Sequence, residues 1–385
     1  MKSWVIRRIL PAAAGILIIL GLGFYFMPDL EQHPVAPRNL HFLPAIEETN
    51  LTPPSSERLV FPGDHGIHRQ TGSEVWQLLG HLETINGGRF GFEVTLLRID
   101  LGTDLSQRRS AWATDQIFHL SYAITPFLDG EIYRDQETSR RAMGLAGYDP
   151  QQRKIWIYKR ALKFHESDPK LPVMELSISD SAYPARLEFS TAKPVVVPSL
   201  STPFRYYAIT RMKAQGNLKI SGKNQMVSGE AFFDHSWGKI PGGGGQLVRN
   251  RFMLQLSNGI DLNLLQSRRR DGTGNAVNTG FLVLSEGETL FFEPGDLNID
   301  PNGHWTSEAS GIRYPVQWRI QIPERDLELD LKPWMDNQET ADSLIDWSGM
   351  VSVSGHSGAT PVNGFGHVQL SGHSPHNSKK IPDKE

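Results

Sequence analysis

What most constrains this chain is the recurrence of short apolar runs, rich in β-branched and aromatic residues, separated by turn signals. The stretch "VWQLLGHLETINGGRFGFEVTLLRIDL" is two such runs joined at Asn86-Gly87-Gly88. Asn and Gly tolerate the positive φ that tight hairpin turns need, so the segment predicts a hairpin. The pattern returns at Asp149-Pro150, Asn258-Gly259 and Glu286-Gly287. With 36 glycines and 25 prolines in 385 residues, little room is left for long amphipathic helices. The expected class is an all-β sandwich or barrel, with one helix at most, in "DNQETADSLIDW". No short-period repeat of the solenoid or propeller kind is present.

A different pattern opens the chain. Lys2, Arg7 and Arg8 precede an uncharged apolar run from Ile9 to Met27, which at about 1.5 Å per residue approaches the thickness of a bilayer core. Positive charge ahead of such a run keeps the N-terminus in the cytoplasm and sends the rest across. Residues 1–28 are therefore expected to form a transmembrane signal anchor, single-pass in a bacterial inner membrane, with the folded part in the periplasm. The alternative is a signal peptide and secretion after cleavage, although no Ala-x-Ala site follows Phe24-Tyr25-Phe26-Met27. Pro34, Pro37, Pro44, Pro53 and Pro54 mark residues 29–57 as an extended linker.

A chain of this length exceeds what one hydrophobic core usually serves, which favours two folded domains. The Pro241 to Gly245 stretch interrupts the strand pattern and divides them, giving a first domain over 58–238 and a second over 239–374. The polar residues 375–385 are expected to be disordered.

Lys and Arg number 39 against 42 Asp and Glu, with both signs interspersed. No basic stripe is present, so no nucleic-acid partner is expected. The run Arg268-Arg269-Arg270 meets Asp271-Gly272 at once and reads as a solvated hairpin end. The absence of cysteine excludes disulfides, thiolate metal sites, a cysteine nucleophile and a lipoprotein anchor. No Gly-x-Ser-x-Gly elbow occurs, and the glycines at 242 to 245 lack the Lys-Ser/Thr of a phosphate loop. No cofactor is expected.

Two clusters carry candidate chemistry. In "FPGDHGIHRQTGSEVWQLLGHL", Asp64, His65, His68, Glu74 and His81 fall close together. His65 and His68 converge on a metal only if their loop curls, and zinc-enzyme signatures are missing, so no metal is expected; histidine cross-bracing of a loop is the plainer reading. The second cluster is "GEAFFDHSWGKIPGGGG". On a regular strand Phe233, His235 and Trp237 share one face while Phe232, Asp234 and Ser236 share the other, so adjacent Asp234 and His235 cannot exchange a proton directly. A histidine near its free pKa shuttles protons at neutral pH, and a buried aspartate with a raised pKa donates one. Against this, Trp237 is also what a core anchor looks like, and His235 a satisfied buried polar group. A third cluster, Tyr314, Trp318, Trp334 and Trp347, is spaced like barrel-filling aromatics.

Taken in order, "FPGDHGIHRQTGSEVWQLLGHL", "GGRFGFEVTLLR", "YYAITRMKAQGNLKISGKNQMVSGEAFFDHSWG", "SGIRYPVQWRIQIPERDLELDLKPWMDNQE" and "GHVQLSGH" resemble the carotenoid 1,2-hydratases (hydroxyneurosporene synthases) and the AttH-like proteins often labelled predicted secreted hydrolases. The likeness spans about residues 59 to 374. It implies two lipocalin-like β-barrel domains in tandem. The family's Asp-x-x-Trp-Gly core falls on Asp234, Trp237 and Gly238, with His235 in the place of the hydratases' histidine. Two departures matter. Where many relatives have Glu-Trp-Trp-Tyr this chain has Glu74, Val75, Trp76 and Gln77, and "GGGGQLVRNRF" replaces a Gly-Trp-Asp-Trp segment. The tyrosine and acid that the hydratase branch would place at about Leu265 and Ser267 are also absent.

The expected function is that of a membrane-tethered, lipocalin-like protein binding a lipophilic small molecule, a lipid or isoprenoid-like compound. The resemblance also suggests service to an ABC-type exporter. The alternative is a hydratase or hydrolase acting on an apolar substrate. In that alternative Asp234 and His235 are the acid–base candidates, and Trp237, Phe233, His65, His68, Glu74 and Trp76 are the residues expected to bind the substrate.

Overall fold

The computed structural model describes residues 58–69, 71–102, 110–127, 130–165, 171–198, 204–238, 247–340 and 346–373. The proposed anchor, linker and tail, and the glycine run at 242 to 245, lie outside the described residues. No described helix is long and apolar enough to cross a membrane.

The first sheet comprises β1 (Ser73–Thr84), β2 (Arg89–Asp100), β3 (Gln116–Pro126) and β4 (Tyr133–Arg140). It continues with β5 (Ala146–Asp149), β6 (Lys154–Ile157), β7 (Arg160–Phe164), β8 (Val173–Ile178) and β9 (Ala185–Thr191). Two long strands, β10 (Phe204–Ile220) and β11 (Lys223–Gly238), complete it. The second sheet comprises β12 (Leu247–Leu256), β13 (Asp261–Arg269), β14 (Val277–Val283), β15 (Thr289–Phe292) and β16 (Asn298–Thr306). β17 (Arg313–Ile322), β18 (Leu327–Pro333), β19 (Trp347–Ser357) and β20 (Thr360–Ser371) follow.

Both sheets are wound alike. In the first, β1 to β4 run as one meander and β5 to β11 as another, and the last strand pairs with the first along Ser73↔Gly238 to Thr84↔Val227. In the second, β12 to β15 and β16 to β20 repeat the scheme, closed by β12 against β20. Every pairing is antiparallel, as short turns between consecutive strands require. All four expected hairpin turns join paired strands: β1–β2, β5–β6, β12–β13 and β14–β15. Gly87 takes φ +80° at the first, where a side chain would be strained.

The helix expected in "DNQETADSLIDW" is not formed in its described part. Glu339 instead bridges to Trp347, and its carboxylate accepts hydrogen bonds from Ser307, Ser310 and Tyr314. Tyr314, Trp318 and Trp347 fill the second core as expected, while Trp334 is buried between Phe127 and Phe365.

Each sheet curls around its own apolar core because its strands alternate. On β1, Trp76, Leu78 and Leu82 point inward; on β12, Phe252, Leu254 and Leu256 do. The opposite face of the same strands is buried too, since the two sheets pack on each other there. Leu79, Val196, Ala208, Phe232, Met253, Phe281 and Val283 form this third core. Ion pairs border it: buried Asp261 receives Lys193 at 2.8 Å and Arg211 at 2.6 Å, and Arg211 also holds the partly exposed Glu230. Strands buried on both faces explain why "VWQLLGHL" reads as a near-continuous apolar run.

Candidate functional site

At one end of the first barrel, the start of β1, the end of β11 and the segment 58–68 meet. Glu74 and Trp237 are register partners there, as are Trp76 and His235. The period of the strand sends all four side chains inward.

Glu74 is the centre of this group and is fully buried. One carboxylate oxygen, Oε1, lies 2.6 Å from His68 Nδ1 and 2.9 Å from His235 Nε2. The other, Oε2, accepts Arg98 Nε at 2.9 Å and the His68 backbone N–H at 3.0 Å. The outer nitrogens are engaged as well: His68 Nε2 donates to Asp64 Oδ1 at 3.0 Å, and His235 Nδ1 to the Asp64 carbonyl at 3.0 Å. Indole rings cover both imidazoles, Trp237 stacking on His68 at 3.9 Å and Trp76 on His235 at 4.5 Å.

Electrostatics follow from this geometry. Burial would raise the Glu74 pKa, but hydrogen bonds from His235 and His68 and the nearby Arg98 charge outweigh it and hold the carboxyl at about 2. For His68, burial acts to lower the pKa and is overcome by Asp64 and Glu74, so the ring gains proton affinity. For His235, burial wins over the pull of Glu74 and the pKa falls. Two imidazoles on one oxygen are thus biased in opposite directions. His68 retains 19 % side-chain exposure whereas His235 and Glu74 retain none, so the chain of contacts leads from solvent to the interior.

The other candidates have mixed fates. His65 belongs to the same end: its Nδ1 is 2.6 Å from the Tyr207 hydroxyl, and its ring stacks on Phe61 and Phe164. Trp76 donates from Nε1 to the His65 carbonyl. Phe233 lies one inward step deeper, packed against Phe164 and Tyr207 as core. His81 is apart, on the face toward the second sheet near Phe365.

Asp234 is separated from His235, as strand alternation demands. It faces the second sheet, paired with Arg251 and near the Tyr206 hydroxyl, and Arg251 also donates to Gln77. Burial pushes the Asp234 pKa up in spite of Arg251. Asp234 and His235 therefore face opposite sides of β11, as the alternation predicts, with a strand's thickness between them. Leu265 pairs with Arg251 on the same outward side of β13 as Asn263, which bonds Tyr206. The acid missing near Ser267 is consequently missing from the Asp234 side.

Sequence reasoning missed Arg98 and Tyr207. Arg98 is fully buried and, besides Glu74, bonds the His68 and Thr71 carbonyls, fastening the loop to the barrel. A lone arginine ending the apolar run "FEVTLLR" was the available signal.

The second barrel supplies a comparison within the molecule. On β12, Asn250 occupies the place of Glu74: two residues before an inward aromatic, paired with Gln266 of β13 and Leu370 of β20, as Glu74 is paired with Arg98 and Trp237. Asn250 Nδ2 donates to Gln266 Oε1 at 3.0 Å. Asn250 Oδ1 also lies 3.0 Å from His373 Nε2, whose pKa burial lowers to about 3. At this place one barrel holds neutral amides and a histidine without affinity for a proton; the other holds a carboxylate, an arginine and two histidines.

Fold and site together define an all-antiparallel protein of two barrel-like sheets with a buried carboxylate–histidine centre in the first. The chain belongs to the AttH-like family, whose profile matches residues 52–373. Among solved structures, an AttH candidate from Nitrosomonas europaea is similar at TM-score 0.68 and 21 % identity, covering 83 % of this chain and 99 % of that one. Kievitone hydratase from Nectria haematococca is similar at TM-score 0.60 and 14 % identity, covering 81 % and 92 %. CghA, solved with Sch210972, is similar at TM-score 0.54 and 13 % identity, covering 84 % and 96 %. These identities speak to shared fold. No curated protein matches the chain.

Proposed function

We propose that this AttH-like protein binds a lipophilic small molecule bearing one polar end, and that the Glu74–His68–His235 centre is the polar anchor. The observation that carries the reading is the contrast with Asn250 and Gln266. Burying charges is costly even when they are paired, and at the place of Glu74 in the second barrel stands an uncharged Asn250, bonded to Gln266 and His373. Charge, two histidines and two stacked indoles at the first therefore point to work beyond plugging a barrel. Perturbed titrating groups gathered in one place are what binding and reaction centres look like.

A second reading is hydration or hydrolysis of an apolar substrate. In its support, His68 gains proton affinity next to the solvent while His235 loses it inside, the pairing an acid and a base need. The solved relative named for kievitone hydration shares the fold. Binding is favoured because Asp234 is locked to Arg251 and lacks a second acid at position 267. The lipocalin-like barrels, the membrane tether at residues 1–28, the periplasmic site of action and service to an exporter belong to the same proposal, resting on the apolar N-terminal run and on family likeness.

Native mass spectrometry of the gently extracted full chain is the direct test, followed by turnover assays on any lipophile that co-purifies. Retention by wild type and loss in Trp237→Ala supports binding at this end. A ligand held equally by His235→Ala and returned unchanged removes the catalytic reading, and a chain that never retains a lipophile removes both.

A further inference from the structure

His68, His235 and Glu74 each offer a ligand atom within 4.8 Å of the others, with His68 Nδ1 2.6 Å and His235 Nε2 2.9 Å from Glu74 Oε1. Their surroundings fix which way each group faces. The Asp64 carbonyl only accepts, so His235 Nδ1 carries a proton and its Nε2 faces inward. The Asp64 carboxylate takes His68 Nε2, which turns that ring's Nδ1 inward. Arg98 occupies Glu74 Oε2 and leaves Oε1 for the centre. Three electron-pair donors thus point at one place, and a positive species must stand between them: protons, or one metal ion.

Resting on the reading of this centre as the working site, we propose that His68, His235 and Glu74 form a site for one divalent transition-metal ion, zinc by its ligand set. Two imidazoles and one carboxylate are a ligand set that zinc takes in sites keeping an open position. The outer contacts match what such sites use: each ring donates its other N–H to a carboxylate or backbone carbonyl, which sets tautomer and orientation. Stacking of Trp237 on His68 and Trp76 on His235 holds the rings in place. Access is through His68 and Asp64, the partly exposed members. Binding displaces the inward protons, so uptake releases protons to the buffer. The open coordination position then faces a hydroxyl or carboxylate end of the ligand, deepening the proposed polar-anchor role.

The test uses untagged full-length protein stripped with a chelator and titrated with zinc alone by calorimetry, and with cobalt(II) by visible absorption. The expected result is uptake of about one ion per chain, with d–d bands of a low-coordinate nitrogen–oxygen site and a rise in melting temperature. Glu74→Gln and His235→Gln abolish uptake. Because either variant risks misfolding, Asp64→Asn supplies the second arm: it leaves all three ligands, keeps the native melting transition and weakens zinc about 10–100-fold. His119→Ala, on β3 and outside the centre, leaves uptake unchanged. Folded wild type that takes up neither ion overturns the inference, as does uptake unaltered by both His235→Gln and Asp64→Asn. No lipophile is needed in these titrations, so a chain that retains a lipophile but no metal loses this inference alone.

Discussion

Glu74 and Asn250 stand at matching points of two strands that open two similarly wound sheets, each facing its own core and each bonded to its register partner, Arg98 or Gln266. One barrel end holds an ion pair where the other holds two amides. The substitution of charge for neutrality at one topological place gives the first prediction.

Glu74→Asn alone takes the nearer carboxylate from a fully buried guanidinium, leaving Asp100 at 3.5 Å, and should cost on the order of 3–5 kcal/mol. The double variant Glu74→Asn with Arg98→Gln copies the second barrel and should recover much of that loss. Urea unfolding of the single and double variants measures the coupling. A double variant no more stable than Glu74→Asn would show that Arg98 acts mainly through the Thr71 and His68 carbonyls.

The Asp234–Arg251 pair joins the sheets on the far side of β11 from His235. Asp234→Asn is expected to destabilise the chain by about 3 kcal/mol yet leave retention of a lipophile by the first barrel unchanged. Thermal melting and native mass spectrometry of this one variant separate the two effects. Loss of ligand without loss of stability would move the working site to the inter-sheet face.

Glu93 reaches from β2 to the second sheet, accepting from Ser348 at 2.8 Å, His367 at 3.2 Å and Gln369 at 3.2 Å. Burial acts to raise its pKa, and the charge and hydrogen bond of His367, with Arg134 and Ser348, bring it instead to about 2. The folded value is below the unfolded one, so this stability is fully present above the unfolded pKa and disappears as pH falls through the folded pKa. Between about pH 4.5 and 2 the loss should be on the order of 3 kcal/mol. Denaturant titrations across that range should show the slope, and Glu93→Gln should reduce it, leaving the part that Glu74 contributes over the same window.

Gly238 ends β11 at φ +128°, a region that residues with a Cβ avoid. Gly238→Ala should therefore cost about 1–3 kcal/mol and displace Trp237 from the His68 ring. Tryptophan fluorescence and melting temperature read both. An alanine variant as stable as wild type would mean that the strand end relaxes freely.

Much of the local architecture was legible in the residues. Asn86-Gly87-Gly88 and Asn258-Gly259 specify turns through backbone preferences confined to a few residues, and the alternation from Phe232 to Trp237 placed His235 and Asp234 on opposite faces. The stretch from Asp336 to Trp347 misled because its polar, helix-compatible composition does not reveal that Glu339 is claimed by three hydroxyls from Ser307, Ser310 and Tyr314. Arg98 is not legible in the sequence because an arginine near the end of a strand usually points to solvent, and only the folded loop shows what it binds.

The sequence by itself determined where strands run, where they turn and which face each side chain takes, because these depend on steric rules acting over one or two residues. Tertiary closure decided the rest. Pairing β1 with β11 brings Glu74 to His235 across 161 positions, and packing one sheet on the other gives Asp234 an arginine in place of a substrate. Such contacts are set by the summed burial of two cores and by long-range register, quantities that no short stretch of the chain contains.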